Sequence, residues 1–149
     1  MSQTPGGIDL DTSVGYLLKE ASSVLRLSME AALRPLGMTV TQYSCLELLA
    51  QRPGLSNSQL ARGAFVTRQS MNVLLQALER DGLVERVSGE GSGRAIPTRL
   101  TDRGREHLRA ASAAVKAVED RMVTALESKD RAALVAALRQ CVTALQPSD

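Results

Sequence analysis

Apolar residues recur every three or four positions along both ends of the chain. One such run covers residues 14–33, a second covers residues 39–52, and a third extends from residue 102 to residue 146. This spacing predicts amphipathic helices. The polar triplet Ser128–Lys129–Asp130 divides the third run, which therefore predicts a long helix with an apolar seam from Leu108 to Ala125 and a separate last helix.

Hydroxyl residues precede each of these runs. Thr12 or Ser13 stands before the first, Thr39 or Thr41 opens the second, and Thr101 stands before the third. A side-chain oxygen at such a position accepts a hydrogen bond from one of the N–H groups that the first helical turn leaves unpaired. These residues therefore predict where the helices begin.

The middle of the chain carries a shorter, more interrupted pattern. Ser56–Gln59 fits a capping box and predicts a short helix ending at about Gly63. After the connection Ala64–Val66, Thr67 caps a longer helix with one apolar stripe, which Asp81–Gly82 ends. Two helices of about seven and fourteen residues joined by a tight turn are typical of a helix-turn-helix.

A hairpin is predicted after the second of these helices. Leu83–Val87 and Ala95–Leu100 have the composition of strands, and the glycine-rich segment Ser88–Arg94 lies between them. Pro97 cannot donate a ladder hydrogen bond, so its strand should present that position outward, as an edge strand can.

Composition narrows the class of protein. The chain has 149 residues, of which 44% are hydrophobic but only 2% aromatic, and this suits one helical domain without the stacking platform of a single-strand nucleic-acid binder. The first residues lack the features of a signal peptide, and no apolar run is long enough to span a membrane. We therefore expect a cytoplasmic protein.

Patterns for catalysis or metal binding are lacking in the sequence. Cys45 and Cys141 have neither CxxC spacing nor histidine partners, and His107 is the only histidine. A Ser-His-Asp triad would need a nucleophile elbow or an oxyanion loop, and a metal site would need a cluster of ligands. We expect no enzyme activity, no metal and no cofactor.

Charge is concentrated in the middle of the chain. The net charge is +2, yet the segment from Arg62 to Arg105 holds eight arginines against five acidic residues. Arginine also outnumbers lysine 15 to 3, and its planar side chain suits contacts with phosphate and guanine. This distribution favours a nucleic-acid partner.

The order of these elements resembles the MarR family of bacterial transcription regulators. The resemblance covers residues 14–146 and is carried by Leu36–Thr39 with Gln42, by Leu60–Ala61, by Leu78–Arg86 and by Leu100–Gly104. It implies a mainly α fold, in which a winged helix-turn-helix DNA-binding lobe with a two-stranded wing is flanked by N- and C-terminal dimerisation helices. The chain would be one domain, with a flexible tail at 1–11, dimerisation helices at 12–34 and 101–146, and the lobe at 39–100.

The resemblance also implies a DNA partner, a pseudo-palindromic duplex bound by a homodimer. The recognition helix would run from Thr67 to about Asp81 in the major groove, with Arg94 in the minor groove. The implied DNA-binding residues are Ser56, Ser58, Thr67, Arg68, Gln69, Ser70, Asn72 and Arg94. Two positions depart from the common pattern, because Ser92 replaces an aspartate of the wing and Val73 replaces an arginine of the recognition helix.

A repressor released by a small aromatic or lipophilic acid is the function that the resemblance implies. The ligand would bind where the dimerisation helices meet the lobe. Its candidate contacts are Leu25, Arg26, Met29 and Tyr43, of which tyrosine and arginine can meet a carboxylate. The same residues also suit ordinary helix packing or, for Arg26, a solvated surface.

Two alternatives remain. In one, Cys45 senses oxidants, although its place beside Leu46 suits a small core residue better. In the other, the winged helix has lost DNA binding and serves as a protein-interaction module, which would have no need for the central excess of arginine.

Overall fold

The computed structural model describes residues 6–87 and 97–147. Within these ranges the chain forms helices and a two-stranded antiparallel sheet. The elements are α1 (Val14–Leu33), α2 (Val40–Gln51), α3 (Asn57–Gly63), α4 (Arg68–Arg80), β1 (Val84–Arg86), β2 (Thr98–Leu100), α5 (Asp102–Met122) and α6 (Ser128–Leu145), with a short 3₁₀ turn at Arg34–Leu36. The predicted mainly helical fold with a two-stranded wing is confirmed.

Local capping fixes where the first five helices begin. In each, a hydroxyl oxygen accepts a hydrogen bond from the N–H group three residues further on. The capping residues are Ser13, Thr39, Ser56, Thr67 and Thr101. In two of them, a glutamine side chain reaches back and completes a capping box. The predicted helix starts are confirmed, with Ser13 rather than Thr12 and Thr39 rather than Thr41 as the caps.

The strands are shorter than predicted. Leu83 was expected in the first strand, but its N–H donates to the Leu78 carbonyl (2.9 Å) and closes the end of α4. Gly82, at a φ of 76°, makes this Schellman-type ending without strain. The sheet therefore begins at Val84, and Val87 N–H donating to the Pro97 carbonyl (2.8 Å) extends it by one hydrogen bond. Residues 88–96, including Arg94 and the start of the predicted second strand, lie outside the described residues.

The long helix after Thr101 is also shorter than predicted. The apolar seam was expected to continue to Ala125, but α5 ends at Met122. Here the Thr124 hydroxyl donates to the Asp120 carbonyl (2.7 Å), and Leu126 N–H donates to the Val123 carbonyl (3.0 Å). These bonds form a tight turn between α5 and α6.

One apolar core holds α2, α3, α4, the sheet and the first half of α5 together. We call this unit the lobe. Its buried residues include Leu46, Leu60, Met71, Leu75, Leu78, Val84 and Leu100. Leu108, Ala111 and Val115 of α5 and Leu33 at the end of α1 join the same cluster.

The start of α5 is fastened to the end of α4. The Thr101 hydroxyl donates to the Gly82 carbonyl (2.6 Å), and Thr101 N–H donates to the Leu83 carbonyl (3.1 Å). Gly104 is buried directly against this carbonyl, which a Cβ atom at residue 104 would overlap. This close approach explains why threonine and glycine occupy their positions in the segment Leu100–Gly104.

The terminal helices leave most of their apolar residues uncovered. Every residue of α6 is exposed, including Leu138, Val142 and Leu145. In α1, Val24 and Leu27 are more than half exposed, whereas Leu33 at its end is fully buried. Single helices with this much uncovered apolar surface indicate an interaction surface.

Phe65 is an outlier within the turn between α3 and α4. Its φ is 61°, the left-handed region that side chains larger than glycine rarely adopt. The residue is 93% exposed, although Ala64 and Val66 on either side pack against the core. Such a backbone costs roughly 1–2 kcal/mol relative to a glycine.

Candidate nucleic-acid interface and effector cavities

At the start of α4, the side chains of Thr67 and Ser70 are hydrogen-bonded to each other, whereas those of Arg68 and Gln69 between them are not hydrogen-bonded to any described residue. The Thr67 hydroxyl accepts from Ser70 N–H (3.0 Å) and donates to the Ser70 hydroxyl (2.9 Å), so both are used in the cap. Arg68 and Gln69 are exposed. Among the described residues, neither has a hydrogen bond or an ion pair from its side chain, so both are free to contact a duplex.

Asn72 has a structural partner as well as a predicted role in base recognition. Its side-chain oxygen accepts a hydrogen bond from the Asn57 amide (2.9 Å), which joins α4 to α3. The Asn72 NH₂ group donates no hydrogen bond within the described residues. Nothing in the sequence indicated this pair, because the two residues are fifteen positions apart on different helices.

The predicted phosphate contacts at α3 differ in their surroundings. Ser56 is the N-cap of α3 and accepts from Gln59 N–H (3.2 Å), whereas Ser58 is half-buried on the first turn. Both lie at the helix end where backbone N–H groups favour a phosphate. Arg94 lies outside the described residues.

Ion pairs hold the base of the wing. The sheet register sets Glu85 directly opposite Arg99, and their side chains meet at 2.7 Å. Arg86 pairs with Glu79 of α4 at 3.3 Å. The opposite charges of a hairpin are visible in the sequence, but the partners follow only once the register is known.

Tyr43 belongs to a hydrogen-bond network centred on Glu47. The carboxylate accepts from the Tyr43 hydroxyl (2.6 Å), from the Ser112 hydroxyl (2.7 Å) and from the Gln51 amide (2.8 Å). Burial alone would raise the pKa of the Glu47 carboxyl, but the three donors outweigh burial and hold that pKa below its usual range. For Tyr43, burial and the adjacent carboxylate raise the pKa of the hydroxyl, which stays protonated. Because Ser112 lies on α5, the network joins α2 to the long helix.

Two of the four predicted effector residues, Arg26 and Tyr43, line separate cavities of the chain, and Leu25 and Met29 line neither of these cavities. Arg26 lines a cavity of about 550 Å³ beside Arg34 and the first residues of α2. Tyr43 lines a smaller one of about 210 Å³ with Glu47 and Arg52. Leu25 is half-buried and Met29 packs against the core. Arg26 is paired with Glu30 at 3.1 Å, so a ligand carboxylate would compete with that glutamate.

A third cavity, of about 510 Å³, lies where α2, α4 and α5 meet. Arg80, Arg103 and His107 line it, with Gln42 and Asp81. These residues belong to three segments that lie apart in the sequence, and no sequence-based expectation brought them together.

Cys45 is fully buried among the core residues of α2. Burial raises the pKa of its thiol to about 12, so the reactive thiolate is scarce at neutral pH. Cys141 on α6 is exposed. The expectation that Cys45 is a core residue is confirmed.

Comparison with known proteins shows which family the chain belongs to. The profile described as the MarR family matches residues 36–95. The HTH-type transcriptional repressor Rv2887 of Mycobacterium tuberculosis is 45% identical over 120 residues, which are 80% of this chain and 86% of the relative. The chain belongs to the MarR family. The resemblance inferred from the sequence motifs is confirmed.

Solved structures of family members have the same fold. The crystal structure of Rv2887 of M. tuberculosis with salicylic acid is similar at a TM-score of 0.73 and 41% identity, over 87% of this chain and 96% of that one. Its complex with DNA is similar at a TM-score of 0.71 and 38% identity, over 87% and 98%. Rv2887, to which this chain is similar, is thus named as a repressor and has been solved in complex with salicylic acid and with DNA.

Across 6–87 and 97–147, no helix combines the length and the hydrophobicity required to cross a membrane. Over the same ranges, histidine, cysteine and acidic side chains form no group of three that could hold a metal ion.

Proposed function

We propose that the protein is a homodimeric transcriptional repressor that binds a pseudo-palindromic duplex through two copies of α4. The observation that carries this proposal is the start of α4, where Arg68 and Gln69 are exposed and unengaged. Arginine can bond guanine and glutamine can bond adenine through two contacts each. The family relationship to a repressor and to a DNA complex supports the same role.

The terminal helices provide the dimer. Leu134, Leu138, Val142 and Leu145 recur along α6 at helical spacing and are exposed in the single chain. A second copy would cover this stripe and the exposed apolar residues of α1, in the segments 12–34 and 101–146. Two-fold symmetry then presents two recognition helices to the two halves of one site.

A small aromatic or lipophilic acid is the proposed effector. Salicylic acid in the complex of the relative supports this class of ligand. Arg26, with Leu25 and Met29, would contact it, and Arg34 adds a second cation beside the same cavity. The Tyr43 hydroxyl already donates to the Glu47 carboxylate. Tyr43 would therefore help form the wall of its cavity together with Glu47 and would not bind the acid group itself.

Release from DNA then follows from linkage. A ligand that binds between α1 and α2 changes the preferred spacing of the two recognition helices only if it binds one spacing better than the other. Coupling of about 1–3 kcal/mol would weaken DNA binding roughly 5- to 150-fold. We place the protein in the cytoplasm, where its operator would be, and assign it no catalytic activity.

The two alternatives have less support. A redox sensor needs a reactive thiol, and Cys45 is buried with a raised pKa. An interaction module has no use for an exposed Arg68 and Gln69 at the free end of α4.

Selection from random duplex DNA followed by titration tests the proposal. Gln69→Ala should weaken binding to the selected sequence by about 1–3 kcal/mol and relax the preference at one base pair per half-site. Asn72→Ala should do the same and also lower the free energy of unfolding, because it removes the Asn57 partner. Equal losses on selected and random duplexes for Gln69→Ala would exclude base recognition by that residue.

The effector is tested separately. A thermal-shift screen of salicylate-like acids should give compounds that raise the melting temperature and lower DNA affinity. Arg26→Ala should remove both effects while DNA affinity without ligand stays nearly unchanged. Compounds that stabilise the protein without changing DNA affinity would refute the coupling.

A further inference from the structure

Phe65 combines two properties that a folded chain normally avoids. Its backbone is in the left-handed region at a φ of 61°, and the residue, which carries an apolar ring, is 93% exposed. Glycine satisfies such a turn without strain, and an exposed ring gains nothing from the fold. Neither property helps the protein when it is alone.

The neighbouring residues show that the turn itself is well anchored. Ala64 and Val66 pack against the core, and Val66 N–H donates to the Ala61 carbonyl (3.0 Å). Phe65 N–H donates to the Arg62 carbonyl (3.2 Å). The ring is thus held outward by a fixed backbone rather than by a loose loop.

The position of this ring is next to the recognition surface. Phe65 is two residues before Thr67, the N-cap of α4, so their Cα atoms are at most about 7.6 Å apart. Arg68 and Gln69 follow directly on the exposed start of that helix. Any duplex that receives the start of α4 in its major groove brings a strand backbone close to the ring.

We propose that Phe65 is a DNA contact that lies against the deoxyribose carbons of one strand at the edge of the major groove. This inference rests on the proposed function, because it requires the start of α4 to enter DNA. Deoxyribose offers an apolar surface on an otherwise charged backbone, and a ring gains free energy when it is removed from water against such a surface. The contact is independent of base sequence, unlike that of Gln69.

Phe65→Trp provides a direct test, since the chain has no tryptophan of its own. The single indole at residue 65 should be fully solvent-exposed in the free protein. Its emission should shift or be quenched on titration with the selected duplex, and equally with a random duplex at saturation. Emission that is unchanged when the duplex is saturated would overturn the proposal. A change that depends on protein concentration without DNA would also overturn it, by indicating contact between protein molecules.

Phe65→Gly separates the contact from the fold. Because glycine adopts positive φ freely, the variant should melt at the same temperature as the wild type or higher. Its affinity should nevertheless fall about ten-fold, equally for selected and random duplexes. Phe65→Leu, which keeps an apolar side chain, should recover part of that loss. A loss restricted to the selected duplex would indicate a base contact and overturn the assignment to the sugar.

The two proposals fail in different ways. If the wild-type protein binds neither selected nor random duplex, DNA binding itself is refuted. If the wild type binds and Phe65→Gly binds equally well, only the role of Phe65 is refuted.

Discussion

The lobe and the terminal helices treat their apolar residues differently. In the lobe, Leu46, Leu60 and Met71 are fully buried, because helices and sheet close on one another from several sides. In α6, Leu138 and Leu145 are exposed, since none of the elements described in residues 6–87 and 97–147 covers them. The lobe is therefore a finished core, while the terminal helices form one half of an interface in the proposed dimer.

The largest effect should come from a charge placed in that half interface. Leu138→Glu would bury two unpaired carboxylates per dimer, each at about 3–5 kcal/mol. Sedimentation equilibrium should then give the mass of one chain at concentrations where the wild type is a dimer. DNA affinity should fall with it.

Leu138→Met is the matched control and should remain dimeric, because it keeps the apolar volume. A wild-type protein that sediments as a single chain at micromolar concentration would contradict the proposal that a second copy covers the apolar residues of the terminal helices.

The reactivity of the two cysteines should also differ between the lobe and the terminal helices. Cys45 is in the lobe and Cys141 is on α6. In the Leu138→Glu protein, iodoacetamide should modify Cys141 at the rate of an exposed thiol. Cys45 should react about a thousand-fold more slowly until the lobe is unfolded, because burial raises its pKa to about 12. Mass spectrometry of the modified peptides distinguishes the two, and rapid modification of native Cys45 would restore the redox alternative.

Substituting one glycine in each region should have opposite effects on the free energy of unfolding. Gly104→Ala should lower the free energy of unfolding by about 1–3 kcal/mol or more, because its Cβ would overlap the Leu83 carbonyl oxygen. Gly15→Ala on α1 meets only the Ser13 hydroxyl, at 4.0 Å. It should stabilise the helix by up to about 1 kcal/mol. Denaturant titration of both variants measures the change in the free energy of unfolding. Similar changes at the two sites would contradict the expected difference between the two regions.

The smallest effect should arise within the lobe, at Glu47, which joins α2 to α5. Its folded pKa is lowered, so the carboxylate contributes stability above the pKa of the unfolded chain and loses it as pH falls through the folded value. Glu47→Gln should cost about 1 kcal/mol at neutral pH. The difference from wild type should shrink in acid, as followed by thermal melting between neutral and acidic pH. A difference that grows as pH falls would show that the sign is wrong.

Helix starts could be predicted from the sequence because capping is local. Thr39 with Gln42 and Ser56 with Gln59 are three residues apart, so one segment contains both partners of each box. The ends were less predictable. Leu83 has the composition of a strand residue, but it closes α4 because Gly82 permits the left-handed turn before it.

The site was predicted in part. The exposed start of α4 follows from the capping residue Thr67 and the apolar stripe behind it. The long-range partners of Asn72 and Glu47 do not follow, because Asn57 and Ser112 come close only after α3 and α5 have packed. The strain at Phe65 likewise depends on Ala64 and Val66 both facing the core.

The ion pairs at the base of the wing change how the binding of DNA should respond to salt. There, Arg86 and Arg99 already have carboxylate partners at 3.3 and 2.7 Å, and at the start of α5 Arg105 pairs with Asp102 at 3.8 Å. An arginine whose charge is balanced within the protein displaces fewer counterions from phosphate than a free one. The logarithm of the binding constant should therefore fall with the logarithm of salt concentration less steeply than eight central arginines per chain would suggest.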